Sequence, residues 1–175
     1  MTLTELMSKY PNPKSDFEGF VTNDDFVLAV GIKGEDLDSE FAVNTFVVVE
    51  VGIEGLDSSM NPVTVDNQYI RAGQSTIKTG TQRTFTVSGD RYIGDEFQDY
   101  AFSHAIKYGV GQDVVVPYVY FNLKNGKGEK GHVSIIVSSD GSGNAGDNAT
   151  VSIELRKTGA KPSEFTYSFT DSAEE

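Results

Sequence analysis

Histidines and clustered acids are the side chains of this chain that could serve in catalysis or metal binding. Their spacing favours structural roles instead. The two histidines, His104 and His132, do not fall in a metal-ligand spacing such as HExxH. There is no cysteine and no GxSxG pattern, so nucleophilic catalysis has no recognisable nucleophile. We therefore expect solvated or hydrogen-bonded structural histidines and a protein that is not an enzyme.

Four acids lie close together in the sequence at Asp90, Asp95, Glu96 and Asp99. Two carboxylates can form an acid–base pair. Acids at the start of a helix are also explained by capping and by the helix dipole. The second interpretation is preferred, because it needs no further partner.

Two further segments could suggest a bound calcium ion or a bound nucleotide, and both are weak candidates. The first is rich in oxygen ligands, but Ala145 stands where an EF-hand needs glycine and Val151 where it needs an acid. Its ligand-type residues are Asp140, Ser142, Asn144, Asp147 and Asn148. The second, GKGEKG at 126–131, follows no phosphate-loop pattern and is typical of a hairpin tip. The sequence predicts no metal and no cofactor.

Composition indicates a globular protein of one domain. The chain has 175 residues, of which 38% are hydrophobic and 23% charged. The net charge of −12 argues against tight nucleic-acid binding, which needs clustered Lys and Arg. It suits either simple solubility or a surface past which DNA slides. The first residues lack the pattern of a secretory signal, and the apolar runs are too short to cross a bilayer, so we expect synthesis in a cytoplasm and no membrane association.

Alternating apolar residues predict that most of the chain is β-structure. The clearest alternation is in 149–156, with Val151, Ile153 and Leu155 on one face. The other predicted strands are 26–32, 43–53, 84–87, 113–123, 132–139 and 163–169. Pro117 within the fourth of these indicates an edge position or a bulge.

A single helix is predicted over 95–108. Asp95 is a natural N-cap, Gln98 completes a capping-box pattern, and Gly109 suits the position after the last turn. Its apolar stripe is expected to pack on the sheet through Phe97, Ala101, Phe102, Ala105 and Ile106.

These elements predict a mainly β fold, a β-sandwich or partly closed barrel with one packed helix. A single domain is expected over 25–169, with an N-terminal arm at 1–24 and an acidic tail at 170–175. The irregular segment 54–81 is too apolar for a solvated linker, and either an extended hairpin that binds another chain or a meander within the domain would explain it.

The stretch 84–162 resembles the central block of the major tail proteins of siphophages, the bacteriophages with long non-contractile tails. It carries a GxRxxGD-type turn at 89–95, then FQDYAFSHAIKYG, VVVPYVYFNL, GKGEKG and the strand pair that follows, in that order. The resemblance rests on order and spacing, and it covers the first 80 residues only loosely.

This resemblance implies a β-sandwich flanked by a helix, similar also to the tube ring of type VI secretion. It implies six copies in a ring, rings stacked into a tail tube, and DNA that passes through without specific binding. The partners implied are further copies of the chain and the tail-tip, tape-measure and tail-terminator proteins, in a virion assembled in the host bacterial cytoplasm. The segment 54–81 would then contact a neighbouring subunit, and its apolar residues are Met60, Val63, Val65, Tyr69 and Ile70.

A monomeric β-sandwich binding module, for carbohydrate or for virion decoration, is the alternative. Its tyrosines and its Asp/Asn turn would suit sugars. The lack of tryptophan weakens this alternative, because sugar-stacking platforms commonly use that ring.

Overall fold

A computed structural model describes residues 1–37 and 40–167. The predicted tail at 170–175 and the end of the predicted strand 163–169 lie outside the described residues. Within the described chain the α-helices are α1 (Leu3–Met7), α2 (Glu40–Asn44), α3 (Glu96–Ala101) and α4 (His104–Lys107). The strands are β1 (Phe26–Val30), β2 (Val47–Val48), β3 (Ile53–Ser59), β4 (Pro62–Tyr69), β5 (Gly73–Thr81), β6 (Thr84–Asp90), β7 (Val115–Asn122), β8 (Lys127–Ser142) and β9 (Thr150–Thr166).

Seven of these strands form one antiparallel sheet in the order β2-β1-β7-β8-β9-β6-β3. The other two, β4 and β5, pair only with each other and form a separate hairpin. The longest ladder joins β8 to β9, from Lys127 opposite Thr166 to Ser142 opposite Thr150. The predicted mainly β fold is confirmed.

The seven-stranded sheet is rolled without closing into a barrel. The Tyr120 hydroxyl on β7 lies 3.3 Å from the Ser58 hydroxyl on β3, although three strands separate β7 from β3 in the sheet. The Asn23 side chain, just before β1, donates to the Leu56 carbonyl at 3.3 Å. Since β2 and β3 are the outer strands and no ladder joins them, a gap remains between the two edges. The partly closed barrel is thus the better of the two predicted descriptions.

The sheet is buried on both faces at β1, β2 and β7, whereas on β9 only the inner-face residues Val151, Ile153 and Leu155 are buried. Successive side chains of a strand point to opposite faces. On β1, Leu28 and Val30 belong to the inner cluster, which α3 and α4 cover. Val27 and Ala29 belong to an outer cluster, which α1 and α2 cover. A strand buried on both faces reads as a continuous apolar run, as FVLAV does here.

The N-terminal segment begins with a short helix that packs on the domain. Leu3, Leu6 and Met7 on α1 are buried in the outer cluster, and Leu3 N–H donates to the Phe46 carbonyl. The first turn is held by a capping box between Thr2 and Glu5, whose carboxylate also has a lowered pKa because of the hydrogen bond from the Thr2 backbone. The first eight residues are therefore part of the domain's packing, whereas most residues of 9–22 are exposed.

The prediction of a long strand over 43–53 is wrong. Its residues form the end of α2, the two-residue β2, and a turn before β3. Val47 and Val49 are buried in the inner cluster while Val43 and Phe46 are buried in the outer one, so apolar residues alternate without a long strand. Gly52 makes the turn, with φ of +73°, at a point where a Cβ would lie 2.7 Å from the Asp90 carbonyl oxygen.

The helix predicted over 95–108 is two shorter helices. Asp95 caps α3 by accepting from Gln98 N–H at 2.9 Å. The Ser103 hydroxyl then bonds the Tyr100 carbonyl, and Ser103 adopts an extended conformation (φ −61°, ψ 150°) that ends α3 and begins α4. Because of this break, Ala105 is exposed rather than packed on the sheet.

Gln98 does not complete the predicted capping box, because its side chain makes other bonds. It is fully buried, and its amide nitrogen donates to the Val51 and Asp90 carbonyls at 2.8 and 3.1 Å. Its amide oxygen accepts from Tyr92 N–H at 3.0 Å and from Arg91 at 3.3 Å. One side chain thus joins the β2–β3 turn, the end of β6 and the helix α3.

Replacing Gln98 by leucine should destabilise the fold by about 2–4 kcal/mol, since several buried backbone groups would lose their partners at once. Denaturant unfolding measures the change. The control is Gln112→Leu, at an exposed position, with an expected change below about 0.5 kcal/mol. Equal effects of the two substitutions would contradict the central role of the Gln98 amide.

Candidate assembly surface

The segment 54–81 contains most of the edge strand β3 and then the hairpin β4–β5, so it has the shape of an extended hairpin joined to the sheet. β4 and β5 pair from Pro62 opposite Thr81 to Tyr69 opposite Gly73, with one bulge after Val63. Cross-strand partners share a face. One face carries Val65 opposite Ile77, and the other carries Asp66 opposite Thr76, whose side chains hydrogen-bond at 2.6 Å.

The apolar face of this hairpin is exposed to solvent. The exposed apolar side chains of this face are Val63, Val65, Tyr69 and Ile77. Met60 precedes β4 and Ile70 stands at the hairpin tip, and both are exposed, Ile70 to 92%. The structure therefore places the five predicted contact residues on or next to one hairpin, each between 46% and 92% exposed. A lone two-stranded hairpin is marginally stable in water, so this element gains from burial against another surface.

Arg83 fixes the base of the hairpin where β5 passes into β6. Arg83 is 8% exposed. Its guanidinium donates from Nε to Glu129 at 2.8 Å and lies over the rings of Phe85 and Tyr120 at 4.6 and 5.1 Å. Its Nη1 is 3.1 Å from the sulfur of Met60. The same carboxylate of Glu129 accepts from the Tyr118 hydroxyl at 3.0 Å.

Burial, followed by the nearby charge of Glu129, raises the pKa of Tyr118 well above its ordinary value. Its hydroxyl therefore stays protonated and continues to donate to Glu129. The result is a buried network of one cation, one anion and one phenol that positions the hairpin on the sheet.

The hairpin also leaves part of β9 uncovered. The ladder between β6 and β9 ends at Thr84 opposite Arg156, after which the Lys157 N–H donates to the Arg83 carbonyl. Beyond that point the hairpin departs, and in the described chain the residues of β9 from 158 onward pair only with β8. An unpaired strand edge of this kind is a template for another strand.

The residues predicted to pack the helix are split between core and surface. Phe97, Ala101 and Ile106 are buried in the inner cluster, and Phe102 packs against it while lying under the guanidinium of Arg91 at 5.0 Å. Ala105 is exposed, because the helix breaks at Ser103 between α3 and α4.

The side chains considered for chemistry have structural partners instead. Asp99 accepts from Arg91 at 2.7 Å, and this bond, followed by one from Gly94 N–H, lowers the pKa of its carboxyl. Lys107 donates to Asp140 at 2.7 Å, which lowers the pKa of that carboxyl. His104 is exposed and lies against the Tyr108 ring.

In the part of the chain that the structure describes, no group of three or more His, Cys, Asp or Glu side chains could hold a metal ion. Within the same residues, no helix is long and apolar enough to span a bilayer.

Three solved structures have a similar fold. A chain from the tail of an empty gene transfer agent particle, refined with C6 symmetry, aligns with a TM-score of 0.61 at 17% identity, over 85% of this chain and 100% of that one. A chain from the native gene transfer agent virion gives 0.58 at 15% identity, over 84% and 100%. A chain from the anti-feeding prophage cap, which terminates a tube, gives 0.51 at 14% identity, over 86% and 94%.

The chain has the fold of these tail and tube-cap proteins. No family model and no curated protein sequence matches it. At such identities the likeness concerns the fold alone. The structures support a tail-tube fold, and they do not single out siphophages as the resemblance of the sequence does.

Sequence reasoning missed Arg83 and the true partners of Gln98. Arg83 stands in the polar run GTQRT, which has no periodicity to mark it as buried. The sequence feature that could have indicated a buried Arg83 is its place between a turn-rich segment and a clear strand.

Replacing Arg83 by methionine should destabilise the fold by about 2–4 kcal/mol, because the Glu129 carboxylate would be left without its cation in a largely buried position. The matched control is Arg156→Met, which removes the more exposed pair with Glu154 and should cost below about 1 kcal/mol. Both values come from urea unfolding. If Arg83→Met lowered the free energy of unfolding no more than the control does, Arg83 would not be the residue that holds the base of the hairpin.

Proposed function

We propose that this protein is a structural virion subunit that self-assembles into stacked hexameric rings and forms the tail tube of a siphophage. The observation that carries the proposal is the hairpin β4–β5, whose apolar face is exposed on a fold shared with tail and tube-cap proteins. Apolar surface that is displayed to solvent over several neighbouring residues is typical of a protein interface.

The candidate contacts favour a ring rather than a closed dimer. The apolar hairpin face and the open stretch of β9 are different patches of one molecule. A contact between two different patches is heterologous, and it closes into a ring when the rotation between copies permits. The C6 symmetry of the gene transfer agent tail supports six as the number of copies.

The hairpin residues are assigned to contacts with a neighbouring copy. In this assignment Met60, Val63, Val65, Tyr69 and Ile70 are buried on assembly. The net charge of −12 then serves a lumen through which DNA passes on ejection without being retained. Tail-tip, tape-measure and terminator proteins are the further partners, and assembly takes place in the host bacterial cytoplasm.

Electron microscopy of the purified protein at high concentration, with light scattering for mass, tests the proposal. We expect rings or hollow tubes and masses in multiples of six chains. A 19.0 kDa species that never associates, alone or with extract from cells assembling the tail, would contradict the proposal and favour the monomeric binding module.

Val65→Glu should raise the concentration needed for assembly by about tenfold, because a charge would be buried at the hairpin contact. Thr64→Glu places the same charge one residue away on the opposite face of the hairpin. This control should change the assembly concentration by less than about twofold. Light scattering gives the assembly concentration, and circular dichroism checks that both variants fold. Equal impairment would show that the apolar face is not the contact.

A further inference from the structure

A cleft lies where the rolled sheet stays open, between the β1–β2 edge and β3. It has a volume of about 380 Å³, and its apolar lining includes Phe26, Val49, Ile53 and Leu56. These side chains come from both sides of the gap, so the cleft is formed by the failure of the sheet to close.

Three acids line the same cleft. Asp24, Glu50 and Glu54 are at least partly exposed, and in the described chain none of them has an ion-pair partner. By contrast, the neighbouring Asp25 pairs with Lys124 at 3.5 Å. Like charges around one cleft repel each other, and a cation placed among them would relieve that repulsion.

The hairpin tip has the complementary chemistry. The last paired residues are Tyr69 and Gly73, so Ile70, Arg71 and Ala72 form the projecting loop. Ile70 is 92% exposed. Arg71 is exposed with φ of +69°, and it makes no ion pair within the described residues.

We propose that the hairpin tip of one copy inserts into the β1–β3 cleft of a neighbouring copy, with Ile70 against the apolar lining and Arg71 facing the three acids. A copy does not fill its own cleft, because Ile70 is exposed and no hairpin residue lines the cleft. The proposal rests on the self-assembly proposed above and assigns the surface that receives the hairpin tip, in addition to the contacts of the apolar hairpin face and the open stretch of β9. The tip and the cleft are different patches, as a ring contact requires.

Cross-linking tests the contact directly, since the chain has no cysteine of its own. The variant Ala72→Cys/Asp24→Cys carries one thiol beside the tip and one at the cleft while keeping Ile70 and Arg71. With a short bismaleimide we expect a ladder of covalent multimers on a denaturing gel. The control Ala72→Cys/Asp147→Cys has its second thiol on the exposed turn between β8 and β9, and it should give no ladder.

Charge reversal gives an independent measurement in the assembly assay. Arg71→Glu should raise the assembly concentration by about tenfold, because a fourth negative charge would enter the cleft. Lys78→Glu makes the same change of charge elsewhere on the hairpin and should change it by less than about twofold. Combining Arg71→Glu with Glu50→Lys and Glu54→Lys should restore assembly to within about threefold of the unmodified protein.

The outcomes separate this docking from the proposed function. If the protein assembles but the tip–cleft thiols give no ladder and Arg71→Glu behaves as Lys78→Glu, the docking is overturned and the tube role remains. If the protein never leaves the monomer mass and no ladder forms, both proposals fail.

Discussion

The buried amide of Gln98 is the interaction on which the arrangement of the inner face depends. Its four hydrogen bonds reach the β2–β3 turn, the end of β6 and the loop before α3. With these segments held together, α3 lies over the concave face of the sheet, where Phe97 and Ala101 complete the inner cluster. A half-satisfied buried amide would be worse than an apolar side chain, so the network gains its value from being complete.

The sheet with its helices buries most of its own apolar residues, whereas the β4–β5 hairpin does not. In the described part of the chain, every buried side-chain polar atom has a hydrogen-bond partner, and the apolar core forms two clusters on opposite faces of the sheet. The hairpin, in contrast, displays its apolar residues to water. Arg83 joins the two, because its contacts with Glu129, Phe85 and Tyr120 orient the hairpin from its base. A preoriented hairpin loses less entropy on binding than a flexible loop.

The sequence predicted local features well wherever one pattern dominated. The alternation at 149–156 lies in β9, and Asp95 caps a helix as expected. The valines of 43–53 misled the prediction, because residues buried in two different clusters produce the same alternation as a half-buried strand. The break at Ser103 depends on one hydroxyl bond, and the cleft depends on strands distant in sequence, so neither leaves a periodic signal. The apolar residues of the hairpin were visible, but that they share one face follows only from the register of β4 on β5.

The length of the β8–β9 ladder has a mechanical consequence. β8 has 16 residues and β9 has 17, so the paired ribbon extends over about 50 Å at the usual rise per residue. Hydrogen bonds between antiparallel strands run perpendicular to the strand axis. The turn after Ser142 joins the strands at one end of the ribbon, so a lengthwise pull is carried by two covalent backbones in parallel, and the perpendicular hydrogen bonds keep these backbones side by side. The two strands are suited to carry tension lengthwise across the subunit, as a strap does.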